Sequence, residues 1–258
     1  MRVTVLGCGS STGVPAVGCH CSICISDNPK NKRTRVSLFI EINGINILID
    51  SSPDLRQQAL RHDIQRIDAI LYTHDHADHT HGIDDLRAFN YLSGKPLPIY
   101  GDNLTLSLLQ QRFAYAFLPL PEQHIWYRPS LQPHSLADVA VHTFTVSGIS
   151  ITSFEQMHGK VKTLGYRIGK FSYSTDVDVL PAAAFEALAG TEVWVVDCLR
   201  YKKSYSHSNI ENTLEWIGRV KPKLAVLTHM SHEFDYDTLS GQLPEGVVPG
   251  YDGMVIEL

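Results

Sequence analysis

Long apolar runs are missing from this 258-residue chain. Stretches such as 45–49 and 193–196 end after four or five residues, far short of the roughly 20 that span a bilayer, so a transmembrane helix is excluded. Basic charge is also in short supply. Lys+Arg number 22 against 27 Asp+Glu, a formal charge of −5, which argues against a generic nucleic-acid binder. No repeat of 20 to 50 residues, low-complexity tract or charge block divides the chain, and one domain over residues 1–258 is expected. Cysteine is scarce and odd in number, at five, and three crowd into Cys19-His20-Cys21-Ser22-Ile23-Cys24. That spacing suits a metal better than disulfides. The segment Met1–Gly7 meets a glycine turn with no apolar h-region behind it, so a cytoplasmic protein is expected.

What is present is enough apolar content, 43%, to bury a sizeable core. Strands are expected at Arg2–Leu6, Val36–Ile42 and Ile45–Ile49, the last two joined by Asn43-Gly44, the dipeptide of type I′ hairpin turns. Ser52-Pro53 reads as an N-cap and first helical residue of a helix to about Arg61. Asp68–Thr73 reads as a buried strand. Helical spacing covers Gly82–Leu92 and Asn103–Phe117, with Leu118-Pro119-Leu120-Pro121 ending the second. Hairpins are expected around Ser147-Gly148 and Gly169-Lys170. The last part alternates between the helices Pro181–Leu188, Asn209–Val220 and Tyr236–Ser240 and the strands Glu192–Val196, Leu224–Thr228 and Met254–Leu258. Two sheets packed face to face, with helices outside, accommodate that order.

Of thirteen histidines, four fall between His74 and His81. In Thr73-His74-Asp75-His76-Ala77-Asp78-His79, His74 and His76 would share a face of an extended strand while Asp78 and His79 turn toward a second ion. Zinc, manganese or iron would suit these donors, and spacing alone does not choose. Asp50, ending Ile47-Leu48-Ile49-Asp50, reads either as a carboxylate orienting a ligand imidazole or as a plain turn residue.

The motif His74, His76, Asp78, His79 resembles the HxHxDH signature of the metallo-β-lactamase-fold hydrolases. That resemblance implies an αββα sandwich of two mixed sheets and assigns His158, Asp176 and His229 as the remaining ligands of a dinuclear centre, Asp176 bridging. It also implies hydrolysis by a water deprotonated between the two ions, with Asp78 and His207 as catalytic residues. Within that superfamily, Cys19, Cys21, Cys24 and His232 resemble the structural zinc ligands of PhnP-type phosphodiesterases, which act on ribose cyclic phosphates. His20 is the other candidate for the fourth ligand. Gly7–Pro15 and Gly250–Met254 resemble the same group, and the spacing GxGxxxG is no dinucleotide fingerprint.

His207, in Ser206-His207-Ser208, is implied by resemblance to be a leaving-group general acid or transition-state stabiliser. The cations of Pro29–Arg35 could attract a phosphorylated substrate or form a solvated face. His62, His81, His124, His134 and His142 receive no role. The expected function is a metal-dependent phosphodiesterase with two active-site divalent ions (Zn, Mn or Fe) and one structural Zn. Its expected substrate is a small, nucleotide-like phosphodiester, and a homodimer is possible. The other functions weighed are a tRNA 3′-processing ribonuclease, a thioester or β-lactam hydrolase, and a zinc- or redox-sensing protein.

Overall fold

Strict alternation of apolar residues sets the layers of the structure, a computed structural model that describes residues 1–119 and 128–258. In β1 (Arg2–Gly7), β2 (Ser37–Ile42) and β3 (Ile45–Ile49), Val3, Val5, Leu38, Ile40, Ile47 and Ile49 point to one core while Phe39 and Leu48 point to another. Such two-residue alternation means that both faces of this sheet are covered. The turn between β2 and β3 has Asn43 and Gly44 at φ 50° and 78°, the positive values that a type I′ turn requires.

Sheet one continues through β4 (Ala69–Leu71), β5 (Leu97–Gly101) and β6 (Leu131–Ser135), all parallel to β3, in the order β14-β1-β2-β3-β4-β5-β6. Its edge strand β14 (Val255–Glu257) brings the end of the chain back to β1. Sheet two runs β13-β12-β11-β10-β9-β8-β7. Strands β7 (Val141–Val146), β8 (Ile149–His158), β9 (Val161–Ile168) and β10 (Phe171–Ser174) are antiparallel; β11 (Val193–Asp197), β12 (Leu224–Thr228) and β13 (Val247–Pro249) then run parallel to β10. One core cluster joins the inner faces of both sheets. The Tyr166 hydroxyl reaches across to donate to the Tyr72 carbonyl at 2.6 Å.

The helices lie outside. Sheet one carries α1 (Leu55–Arg61), α3 (Arg87–Ser93) and α4 (Asn103–Arg112); α2 (Ala77–Thr80) is a single turn inside the histidine motif. Sheet two carries α5 (Ala182–Leu188), α6 (Ile210–Val220) and α7 (Tyr236–Gln242). Among the described residues, no helix is long and apolar enough to cross a membrane.

Several boundaries differ from the sequence expectation. The first helix starts at Leu55, because the Ser52 hydroxyl closes a local turn on the Asp54 amide and the Asp54 carboxylate is taken by Arg35. The expected helices at Gly82–Leu92 and Asn103–Phe117 each divide into α-helix and 3₁₀ turn, the latter at Ile83–Leu86 and Ala114–Phe117. The buried strand narrows to Ala69–Leu71. β5, β6 and β13 were not expected; each is three to five residues long and contains a proline, which erases the usual strand signal. Leu120, Pro121 and His124 lie outside the described residues.

Candidate metal centre

The parallel strands of both sheets aim their C-terminal ends at one side of the sandwich. Asp50 follows β3, His74 lies three residues past β4, Asp176 two past β10, and His229 one past β12; Asp197 ends β11 and His158 ends β8. Asp50, Asp176 and His229 sit at φ 59°, 52° and 56°, the left-handed region that costs a non-glycine residue about 1 kcal/mol or more. Backbone strain is therefore concentrated where the strands hand over these side chains. Gly82, just after α2, passes so close to the Ser52 carbonyl that a Cβ would lie 2.1 Å from it. Only glycine lets the motif seat there.

Asp176 lies at the middle of the cluster, and its two oxygens face different donors. Oδ1 is 3.9 Å from His74 Nε2 and 3.8 Å from His158 Nε2, with His76 in the same donor group. Oδ2 is 3.1 Å from His79 Nε2 and 3.5 Å from His229 Nε2, and Asp78 Oδ2 approaches those same nitrogens at 3.4 and 3.5 Å. Nε2 of His74, His79 and His229 is buried with no hydrogen-bond partner among the described residues. Orphaned imidazole nitrogens are costly. Donors sharing one tetrahedral ion at about 2.1 Å lie about 3.4 Å apart, so the two sets fit divalent ions.

His79, His74 and His158 are oriented through their other nitrogen, the usual role of groups behind a metal ligand. His79 Nδ1 is 2.7 Å from Asp50 Oδ2. His74 Nδ1 is 3.0 Å from the Thr73 hydroxyl, which donates to the same carboxylate at 2.8 Å. His158 Nδ1 donates to the Ser206 carbonyl. Burial holds His74 well below the usual imidazole range and also lowers His158, which keeps both in the neutral form with a lone pair to offer. For His79, burial opposes the charged form, but Asp176, Asp78 and Asp50 together raise its pKa well above that range. Asp176 is held well below the carboxylate range, as His229 and His79 outweigh its burial.

The opposite wall rests on charge proximity instead, since Nδ1 of His207 and of His229 has no hydrogen-bond partner among the described residues. Buried Asp197 has Oδ2 3.4 Å from His207 Nδ1 and Oδ1 3.7 Å from His229 Nδ1, and it accepts from the Ser208 amide at 3.1 Å. His207 stacks on His229 at 4.6 Å between centroids, and its Nε2 is 3.9 Å from Asp176 Oδ1. Burial lowers the His207 pKa, but Asp197 more than compensates and lifts it to about 9. From the outer side, Arg112 at the end of α4 grips Asp75 twice, Nη2 to Oδ2 and Nη1 to the carbonyl, both at 2.6 Å.

Cys19, Cys21, Cys24 and His232 form a separate donor group. His232 Nδ1 is 3.4 Å from Cys19 Sγ and 3.3 Å from Cys21 Sγ, and the Ala16 amide donates to Cys24 Sγ at 3.4 Å. His20 is exposed and outside the group. Of the Pro29–Arg35 cations, Arg33 is 1% exposed and donates to the Ser231 and Phe234 carbonyls, and Arg35 is spent on Asp54. Arg33 is thus an internal strut and Arg35 half of an ion pair, so neither reading made from the sequence describes these two, whereas Lys32 is exposed, as the solvated-face reading has it.

Sequence reasoning brought eleven ligand candidates and His207 to these clusters but missed Asp197, Thr73 and Arg112. Asp197 had a signal: Trp194-Val195-Val196-Asp197 repeats the pattern of Ile47-Leu48-Ile49-Asp50, an apolar strand ending in aspartate.

Residues 45–230 match the family described as "Beta-lactamase superfamily domain". A protein of Porphyromonas gingivalis named octanoyltransferase is 38% identical over 98% of this chain. The match takes up 51% of that protein, and the chain spans about half the length of the curated relatives it matches first. A crystal structure described as a new diphosphatase from the PhnP family superposes with TM-score 0.91 at 34% identity, covering 100% of this chain and 97% of the other. Zinc-bound PqqB from Methylobacterium extorquens shares the fold, at TM-score 0.75 and 19% identity over 100% of both chains. With the HxHxDH residues, Asp176 between the two donor groups and the two-sheet sandwich all in place, the chain belongs to the metallo-β-lactamase superfamily and, within it, to the PhnP family.

Proposed function

We propose that this protein is a dinuclear metal-dependent hydrolase of small phosphodiesters, cyclic or linear. The observation that carries the reading is Asp176, whose two carboxylate oxygens each face a separate set of donors. His74, His76, His158 and Asp176 would hold one ion; Asp78, His79, Asp176 and His229 would hold the other. Zinc, manganese and iron all suit such donors. Bound divalent ions supply Lewis acidity toward phosphoryl oxygens and lower the pKa of water. The Cys19, Cys21, Cys24 and His232 set would hold a structural zinc, since thiolates close a tetrahedral shell with no open position.

The chain's own residues complete the reaction. Asp176, shared by the two donor sets, would offset the mutual repulsion of two bound cations. Asp50 holds the His79 ring directly and the His74 ring through Thr73, with Nε2 turned to the centre, and Asp197 lies behind His229 and His207. His207, beside Asp176 and backed by Asp197, is placed to give its proton to the departing alkoxide as the P–O bond breaks. The PhnP-family diphosphatase supports attack at phosphorus by this scaffold. The acyl-transfer name of the Porphyromonas relative belongs to a protein with about half its length outside the match.

The test is a panel on the metal-loaded protein: bis-p-nitrophenyl phosphate, 2′,3′-cyclic nucleotides, ribose 1,2-cyclic phosphate, a dinucleotide pyrophosphate, a precursor tRNA and a thioester. Turnover is expected on the small diesters, with a loss of at least 10³-fold in Asp176→Ala, the scale of removing a principal catalytic interaction. Turnover confined to the thioester, or full activity in Asp176→Ala, overturns the reading.

A further inference from the structure

Two sheets have four edge strands, and the four are not protected alike. β14 is three residues long and ends in Glu257, β13 is three residues long and ends in Pro249, and β6 carries Pro133. Short length, charge and proline are the usual guards against edge-to-edge pairing. β7 has none of them. It runs for six residues, Val141-His142-Thr143-Phe144-Thr145-Val146, and residues 139–154 include no Asp, Glu, Lys or Arg. Val139 and Val141 are 50% and 38% exposed.

The hairpin with β8 fixes which backbone groups of β7 are free. Val146 lies opposite Ile149 across the Ser147-Gly148 turn, and at the other end the Glu155 amide donates to the Ala140 carbonyl at 2.9 Å. Bonded and non-bonded pairs alternate along an antiparallel ladder. His142, Phe144 and Val146 therefore bond β8, while the amides and carbonyls of Val141, Thr143 and Thr145 point away from it. Those six groups have no partner among the described residues. On the face turned to sheet one, His142 stacks on Phe144 at 6.0 Å and Phe144 on Tyr100 at 5.4 Å. On the other face, the Thr143 hydroxyl is 3.0 Å from that of Thr152.

We propose that β7 pairs antiparallel with β7 of a second copy of this chain, about a two-fold axis at Thr143. The register is self-complementary. Thr143 faces its own counterpart, Val141 faces the counterpart of Thr145, and every free amide and carbonyl on both strands finds a bond. Sliding by two residues carries an end of each strand past the end of the other. His142 then faces the counterpart of Phe144, which extends the ring stack, and Thr152 and Thr143 meet their counterparts in a row of four hydroxyls, both of them favourable cross-strand pairs. A second copy suits this edge because the strand is neutral: a chain of net charge −5 meets itself here with no like charges opposed. Such an isologous contact closes on itself, so assembly stops at two.

The test is sedimentation equilibrium of the full chain over a concentration series, with melting curves to confirm that each variant folds. Wild type should dimerise. Thr143→Pro removes one outward amide and leaves the ladder to β8 intact, and Thr143→Lys sets two ammonium groups against each other at the axis. Each should raise the dimer Kd by about 10-fold or more, whereas Thr143→Val should stay near wild type. The register is read by mild oxidation. Thr143→Cys should cross-link above the wild-type background, since facing bonded pairs have Cα atoms about 5.5 Å apart, within disulfide reach. Thr145→Cys should not, because its counterpart lies about 13 Å further along the strand. A wild type that stays monomeric, a dimer whose Kd is unmoved by both Thr143→Pro and Thr143→Lys, or Thr145→Cys cross-linking as readily as Thr143→Cys overturns the pairing.

Discussion

The second nitrogen of a metal-ligating imidazole commonly faces a carboxylate or carbonyl, and two buried aspartates stand behind the histidines of this site. Asp50 reaches His79 directly and His74 through Thr73; Asp197 lies against both His229 and His207. The two carboxylates differ in what they hold, because Asp197 also backs the one histidine that donates no atom to either ion set built on Asp176. His207→Ala should slow a diester with an alkoxide leaving group about 10²- to 10⁴-fold and a p-nitrophenyl diester much less, since nitrophenolate departs without a proton. Asp197→Asn should show the same leaving-group dependence with a smaller loss, as His207 loses the carboxylate that favours its protonated form. Steady-state rates on the two substrates, with metal content by atomic absorption, check this. Equal losses on both substrates would assign His207 to phosphate positioning instead.

Element boundaries matter here because Asp50, His74, His158, Asp176, Asp197 and His229 all sit within three positions of a strand end. The strong strands were legible in the sequence: β1 to β3 alternate cleanly, and Asn43-Gly44 announced its turn. Where proline interrupts, as in β5, β6 and β13, periodicity carries no such signal, and parallel pairing with distant strands decides instead. The site was legible for a different reason. HxHxDH is a local pattern, whereas the Arg112–Asp75 clamp joins α4 to the motif across 37 residues and leaves no trace in spacing. That clamp fixes both the carbonyl and the carboxylate of the residue between His74 and His76. Arg112→Gln should therefore weaken metal binding at the His74/His76/His158 set about tenfold, the low end for groups that orient ligands. Arg112→Lys should recover little, because a lysine cannot grip two acceptors in one plane. Competition with a chromophoric chelator reads the affinity, and an unchanged affinity would reduce the clamp to a surface ion pair.

Across the whole molecule, the first and last segments of the chain are sewn together on the side that carries the cysteine cluster. The Asp252 carboxylate accepts from the Cys8 amide and the Thr34 amide and hydroxyl; buried Arg33 donates to the Ser231 and Phe234 carbonyls; and Asn31 bonds Asp235. Cys19, Cys21 and Cys24 meet His232 across more than 200 residues of sequence, so an ion there would close a very long loop and contribute folding free energy directly. Cys21→Ser should accordingly lower Tm by on the order of 10 °C while turnover per folded molecule changes little, given a few degrees per kcal/mol for a chain of this size. Acid should reproduce the effect. The hydrogen bond from His232 brings the Cys21 thiol down to about 6, whereas burial raises Cys24 to about 11. The ion binds thiolates, so it must displace the Cys24 proton throughout the neutral range and, as pH falls through about 6, the Cys21 proton as well. Stabilisation by the ion is thus present above about pH 6 and declines more steeply below it. Tm measured from pH 8 to pH 5, with and without a strong chelator, should converge at the acid end in wild type and already coincide at neutral pH in Cys21→Ser. If the wild-type curves stay apart at pH 5, or if Cys21→Ser keeps the wild-type Tm and metal content, the cluster does not hold a structural ion.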